Sequence, residues 1–79
     1  MNPSQITLNQ LCAGQKGIVT GITSDGASRR RMLDLGIING TEIELLYKSP
    51  AGNPMAYFIR GAVIALRSDV SEKITVMTL

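Results

Sequence analysis

Residues 28–48 read SRRRMLDLGIINGTEIELLYK, and within them a helix signal stops at a glycine, passes through a turn dipeptide and becomes a strand. The spacing predicts a helix over Ser28 to Leu35, with Ser24, Asp25 or Ser28 as N-cap and Gly36 as the left-handed residue that ends it. At about two turns it is too short to persist alone, so Met32 with Leu35, or Leu33 with Ile37, must face a core. Asn39 and Gly40 tolerate positive φ and release the chain into an alternating run from Thr41 to Lys48. Side chains swap faces at every strand residue, which puts Ile43, Leu45 and Tyr47 on one face and Glu42 and Glu44 on the other.

The same grammar continues on both sides. KGIVTGIT (Lys16 to Thr23) alternates around Ile18, Thr20 and Ile22. PMAYFIR (Pro54 to Arg60) and AVIALR (Ala62 to Arg67) flank Gly61 as a hairpin with a very tight connection. KITVMTL (Lys73 to Leu79) closes the chain and Ile6 to Leu8 opens it as a short edge strand. In SDVSEK, Ser68 or Asp69 is placed to cap one helical turn. Eight glycines recur between these short apolar runs. The pattern predicts a mainly β fold, a small barrel or sandwich with one short α-helix, as a single domain over residues 1–79.

Composition narrows the function classes. With 79 residues the chain holds one thin core, since a domain of this size buries roughly 60% of its unfolded surface. A net charge of +2 is no polybasic surface and does not by itself argue for nucleic acid. Histidine is absent and Cys12 is the single cysteine. The chain therefore lacks the commonest general base, cannot form an internal disulfide and cannot assemble a Cys/His zinc site. Catalysis, a resident metal and a cofactor are not expected. No run approaches the ~18 apolar residues of a membrane span, and MNPSQITLNQ has neither the basic start nor the apolar core of a signal peptide. A soluble, cytoplasmic protein without membrane insertion is expected.

Candidate surface residues come from three places. Arg29, Arg30 and Arg31 fall in the first turn of the expected helix, where the macrodipole disfavours cations. They fan over more than half the helix circumference, and three readings stay open: a solvated face with Arg30 paired to Asp34, a contact for a protein partner, or a grip on phosphate. The loop SPAGNP (Ser49 to Pro54) is stiffened by Pro50 and Pro54 and turns at Gly52-Asn53, as a connector or as the rim of an apolar cleft. Met55 beside it belongs to the core or to an adaptable partner surface. Tyr47, Tyr57 and Phe58 lie in strand patterns that mean core rather than base stacking. Cys12 reads as a small buried hydrophobe.

Taken in order, Arg29 to Val76 resembles the FeoA family, the small cytosolic partner proteins of bacterial ferrous iron uptake. The motifs are a basic helix ending RRRMLDLG, the turn before Thr41, the loop SPAGNP, the strand GAVIALR and the final ITV, with LNQLCAGQKGIVTGI (Leu8 to Ile22) similar to the family's opening stretch. Met32 stands where the family often has Leu, and Asn39 where it often has Pro. The resemblance implies an SH3-like β-barrel with a short helix set against it. It also implies an accessory module that binds the ferrous iron transporter FeoB, at its cytosolic GTPase region. A weak homo-oligomer is compatible with it, and transition-metal binding is a family-level label. The expected contact residues are Arg29, Arg30, Arg31, Pro50, Pro54 and Met55, with Leu33, Leu35, Gly36 and Gly40 shaping the motif. The alternative is a regulatory or nucleic-acid-binding module like the C-terminal SH3-like domain of iron-dependent repressors.

Overall fold

The computed structural model describes residues 5–23 and 26–79. Six strands, β1 (Gln5–Thr7), β2 (Lys16–Ile22), β3 (Glu42–Lys48), β4 (Met55–Ile59), β5 (Ala62–Leu66) and β6 (Ile74–Thr78), form one antiparallel sheet in the order β1-β6-β2-β3-β4-β5. A 3-10 turn at Leu8–Gln10 follows β1, helix α1 (Gly26–Asp34) joins β2 to β3, and the one-turn helix α2 (Ser68–Ser71) joins β5 to β6. The mainly β architecture with one short helix is as expected, and β1 and β5 are the two edges of the sheet.

Two bulges decide which side chains enter the core. β2 loses register against β6 between Val19 and Gly21. Val19 lies opposite Val76 and Ile22 opposite Ile74, so an extra residue lets two positions three apart share a face. The buried positions of β2 are Gly17 and Val19, while Ile18 and Thr20 are only half-buried. The alternation over Ile18, Thr20 and Ile22 thus marked the wrong face for its first half. Gly17 hid the inward face from a hydrophobicity count: a Cβ there would lie 3.0 Å from the Val76 side chain, a tight contact that larger residues could make only if Val76 gave way.

β3 breaks register against β4 between Leu45 and Tyr47. Ile43 and Leu45 are fully buried as expected, but Tyr47 is 61% exposed, because the bulge turns it to the opposite face. Tyr57 alone of the three aromatic residues is buried; Phe58, next in β4, is exposed. The core gathers Leu8, Leu11, Val19, Met32, Ile43, Leu45, Tyr57 and Val76 around these strands. Each such side chain, removed from water, contributes about 1.5–3 kcal/mol. Cys12, expected to be buried, is exposed. Leu11 takes the inward position beside it, and the Cys12 N–H donates to Gln15 Oε1 at 2.9 Å in the turn that follows.

The β4–β5 hairpin turns through Arg60 and Gly61, with φ of 50° and 84°. Two positive values in succession are what a two-residue type I′ connection needs.

Candidate functional site

Helix α1 starts two residues earlier than its sequence signal. Ser28 lies inside it rather than at its cap, and the other cap candidates, Ser24 and Asp25, lie outside the described residues. The shift moves Arg30 and Arg31 out of the first turn, leaves Arg29 as its fourth residue, and puts Arg31 in the last turn, where the macrodipole favours a cation. The expected electrostatic mismatch is therefore confined to Arg29. All three arginines are exposed. Among the described residues the one ion pair joins Arg67 Nε to Asp69 at 3.7 Å, so Arg30 does not pair with Asp34.

The helix ends as its sequence announced. Gly36 has φ of 85°, its N–H donates to Leu33 O at 2.9 Å, and the Ile37 N–H donates to Met32 O at 2.9 Å. This is the Schellman arrangement, with the usual apolar contact between its two ends supplied by Met32 and Ile37, both in the core. Met32 with Leu35 is the inward pair, whereas Leu33 is 45% exposed and does not shape the packing. Gly36 carries a second constraint, since the aliphatic stem of Arg60 lies against it where a Cβ would stand. After the turn at Asn39 and Gly40, the Thr41 hydroxyl donates to Gly36 O at 3.0 Å and accepts from the Ile38 N–H at 3.2 Å. Thr41 is buried and ties the helix end to β3, a role its sequence position did not signal.

The proline loop is held from within and from outside. The Gly52 N–H donates to Ser49 O at 2.8 Å, so the turn is centred on Pro50 and Ala51 rather than on Gly52 and Asn53. Asn53 Oδ1 accepts from the Ser68 N–H at 2.7 Å. Ser68 and Asp69 were the expected caps of the α2 turn. The N-cap residue is instead Arg67, which makes no side-chain cap, and Asn53 supplies the missing acceptor from across the fold. Pro50 and Pro54 are exposed. Met55 is 2% exposed and its sulfur accepts from the Tyr57 hydroxyl at 3.5 Å, so it is a core residue and presents nothing to a partner. Burial holds the Tyr57 phenol above the ordinary tyrosine range, opposed by the neighbouring Ser71 hydroxyl.

Between α1 and the end of β5 lies a cavity of about 200 Å³. Met32, Leu35, Leu66 and Val70 give it an apolar lining, and Arg31 and Arg67 bring guanidinium groups to it. An apolar side chain adjacent to a carboxylate fits this combination. Of the expected contact residues only Arg31 takes part, joined by Leu35 from the motif positions. Arg67 and Val70 were missed, because only the fold brings the α2 turn beside α1. Among the described residues no group of three His, Cys, Asp or Glu side chains is placed to hold a metal ion, and no described helix is long and apolar enough to cross a membrane.

Comparison with known proteins identifies relatives of this arrangement. The FeoA domain profile matches residues 6–78. An Fe(2+) transport protein A/Fe(2+) transporter FeoB fusion protein of Porphyromonas gingivalis is 28% identical over 69 residues, which make up 87% of this chain and 8% of that protein. The chain thus spans a small fraction of the length of this curated relative. The solution structure of a FeoA-like protein from Clostridium acetobutylicum is 35% identical, with a TM-score of 0.87, over 100% of this chain and 90% of that one. FeoA of Stenotrophomonas maltophilia, solved in complex with zinc and described as a prokaryotic SH3 domain protein, is 25% identical, with a TM-score of 0.79, over 90% of this chain and 88% of that one. The expected SH3-like architecture is therefore met. A manganese-dependent transcriptional repressor, 24% identical with a TM-score of 0.88 over 98% of this chain and 38% of its own, shares the fold.

Proposed function

The chain belongs to the FeoA family, and from that premise we propose that it is an accessory protein of ferrous iron uptake that acts by contact with the transporter FeoB, at its cytosolic GTPase region. The observation that carries this reading is the Porphyromonas gingivalis relative, in which a transport protein A and a FeoB transporter are one polypeptide. A covalent link keeps two modules at high effective concentration, which is useful when the separate proteins must meet. Action by contact, rather than as iron carrier or catalyst, is supported by a chain without histidine and with one cysteine. The contact surface we propose is Arg29, Arg30 and Arg31 on α1 with Pro50 and Pro54 on the loop, all exposed.

The test is an amide chemical-shift titration of the labelled protein with the transporter's GTPase domain at physiological salt. Shifts on α1 and residues 49–54 are expected. Replacing all three arginines by alanine removes exposed charges worth roughly 0.5 kcal/mol each and weakens binding about tenfold. A flat titration, or a triple variant that binds as well as the parent, overturns the assignment. The likeness to the repressor supports a second reading, a nucleic-acid-facing module. Its signature is binding to duplex DNA that falls steeply between low and physiological salt.

A further inference from the structure

The two edges of the sheet are closed to other chains in different degrees. β1 is three residues long and runs directly into a 3-10 turn. β5 has five residues, Ala-Val-Ile-Ala-Leu, and pairs with β4 from Ala62 opposite Ile59 to Leu66 opposite Met55 without a register shift. Its other side faces no strand. Ala62, Val63 and Ala65 are exposed, Val63 at 62%. Folded proteins normally guard such an edge with a lysine, a proline, an inward charge or a bulge. β5 contains none of these.

The surroundings say what the edge is suited to receive. Arg60 stands at the start of β5 and Arg67 at its end, where Arg31 of α1 joins it beside the apolar cavity. Asp69 lies 3.7 Å from Arg67 Nε in an exposed pair that an incoming carboxylate would have to displace or share. α1 comes near the strand only at its two ends: Gly36, past the helix C-terminus, touches the Arg60 side chain, and Ser28 and Arg31 line the cavity with Ala65, Leu66 and Arg67. On the other face of the sheet Phe58 and Val63 lie opposite each other, and both are exposed.

We propose that β5 is a docking edge that accepts an extended segment of a partner protein as a seventh strand, the segment being apolar and alternating in its middle and carrying Asp or Glu at both ends. Its backbone pairs with the open side of β5, and this main-chain ladder supplies affinity without regard to sequence. Alternate side chains point to the two faces of the sheet. One set reaches the cavity lined by Met32 and Val70, the other rests beside Val63. The terminal carboxylates meet Arg60 at one end and Arg67 with Arg31 at the other, in charge-assisted contacts. The same charges select against a second copy of this chain. Antiparallel β5 strands centred on Ile64 set Gly61 of each copy across from Arg67 of the other and Arg60 across from Ser68, which crowds like charges at both ends. The proposal concerns the edge and its ligand chemistry, and holds whichever protein supplies the segment.

The test uses the whole labelled chain and two blocked peptides, Asp-Glu-Val-Thr-Val-Thr-Val-Glu-Asp and Lys-Lys-Val-Thr-Val-Thr-Val-Lys-Lys, at physiological salt. Amide shifts centred on Ala62–Leu66 are expected, with the acidic peptide bound about fivefold more tightly, as a few exposed ion pairs allow. Arg31→Glu combined with Arg67→Glu, two exposed positions, should abolish that preference while leaving the spectrum of the fold intact. No shifts on β5 at millimolar peptide, equal affinity for both peptides, or sedimentation showing that β5 is covered by a second copy would each overturn the proposal.

Discussion

β2 and β3 each break register once, after Val19 and after Leu45, whereas β4 and β5 pair throughout without a shift. A bulge re-aims the side chains that follow it and increases the local twist. In β2 it brings Ile22 to the face shared by Val19, against Ile74; in β3 it sends Tyr47 away from the face of Ile43 and Leu45. The bulged strands therefore close the core. The regular hairpin contributes Tyr57 and Ile59 inward, yet leaves Phe58 and Val63 exposed on a straight edge. The difference leaves the straight, exposed edge at β5, while β4 beside it still supplies Met55, Tyr57 and Ile59 to the core.

The sharpest way to break this contrast is Leu45→Ala, at a fully buried position beside the β3 bulge. It should cost about 2–5 kcal/mol, seen as a lowered denaturant midpoint; a loss below 1 kcal/mol would mean that the bulged half does not carry the core. Gly17→Ala comes next. The added methyl meets Val76 at 3.0 Å across the β2–β6 pairing, and overpacking of this kind costs about 1–3 kcal/mol. Thermal unfolding reads it directly, and a neutral result would show that β6 can shift away from β2.

Alkaline titration separates the buried aromatic residue of the hairpin from its exposed neighbours. Burial raises the Tyr57 phenol above the ordinary value of 10.0, so above pH 10.0 the unfolded chain gives up this proton before the folded one does. The stability contributed by neutral Tyr57 is thus complete below that pH and is lost as pH rises toward the folded-state value. Tyr57→Phe should flatten the alkaline limb of the stability profile, and an unchanged slope would place the pH dependence elsewhere. The smallest effect belongs to Val63→Thr. At an exposed site on the regular strand, a change that keeps β-branching should stay within about 0.5 kcal/mol, so a large loss would mean that this face is buried in solution.

Much of the fold was legible because some residues force one backbone geometry wherever they occur. The stop at Gly36, the turn at Gly40 and the hairpin at Gly61 all follow from a glycine at positive φ, and all stand where the sequence put them, although Asn39 itself does not take positive φ. Bulges were not legible, since nothing in LLY or VTG distinguishes a strand that slips from one that does not. A glycine that faces the core, as Gly17 does, also reads as a gap in a hydrophobic pattern. The candidate site was legible in part. The arginine run and the prolines marked exposed positions, but Met55 turned inward and Arg67 went unnoticed.

The sequence by itself determined the local stops and turns, the mainly β character and the single short helix. These depend on one residue or on its near neighbours. Only the tertiary structure decided which face of each bulged strand enters the core, that Asn53 caps a helix 15 residues away, and that Arg31 and Arg67 share one cavity. Those outcomes depend on register between strands and on groups distant in sequence, and no local preference encodes such distances.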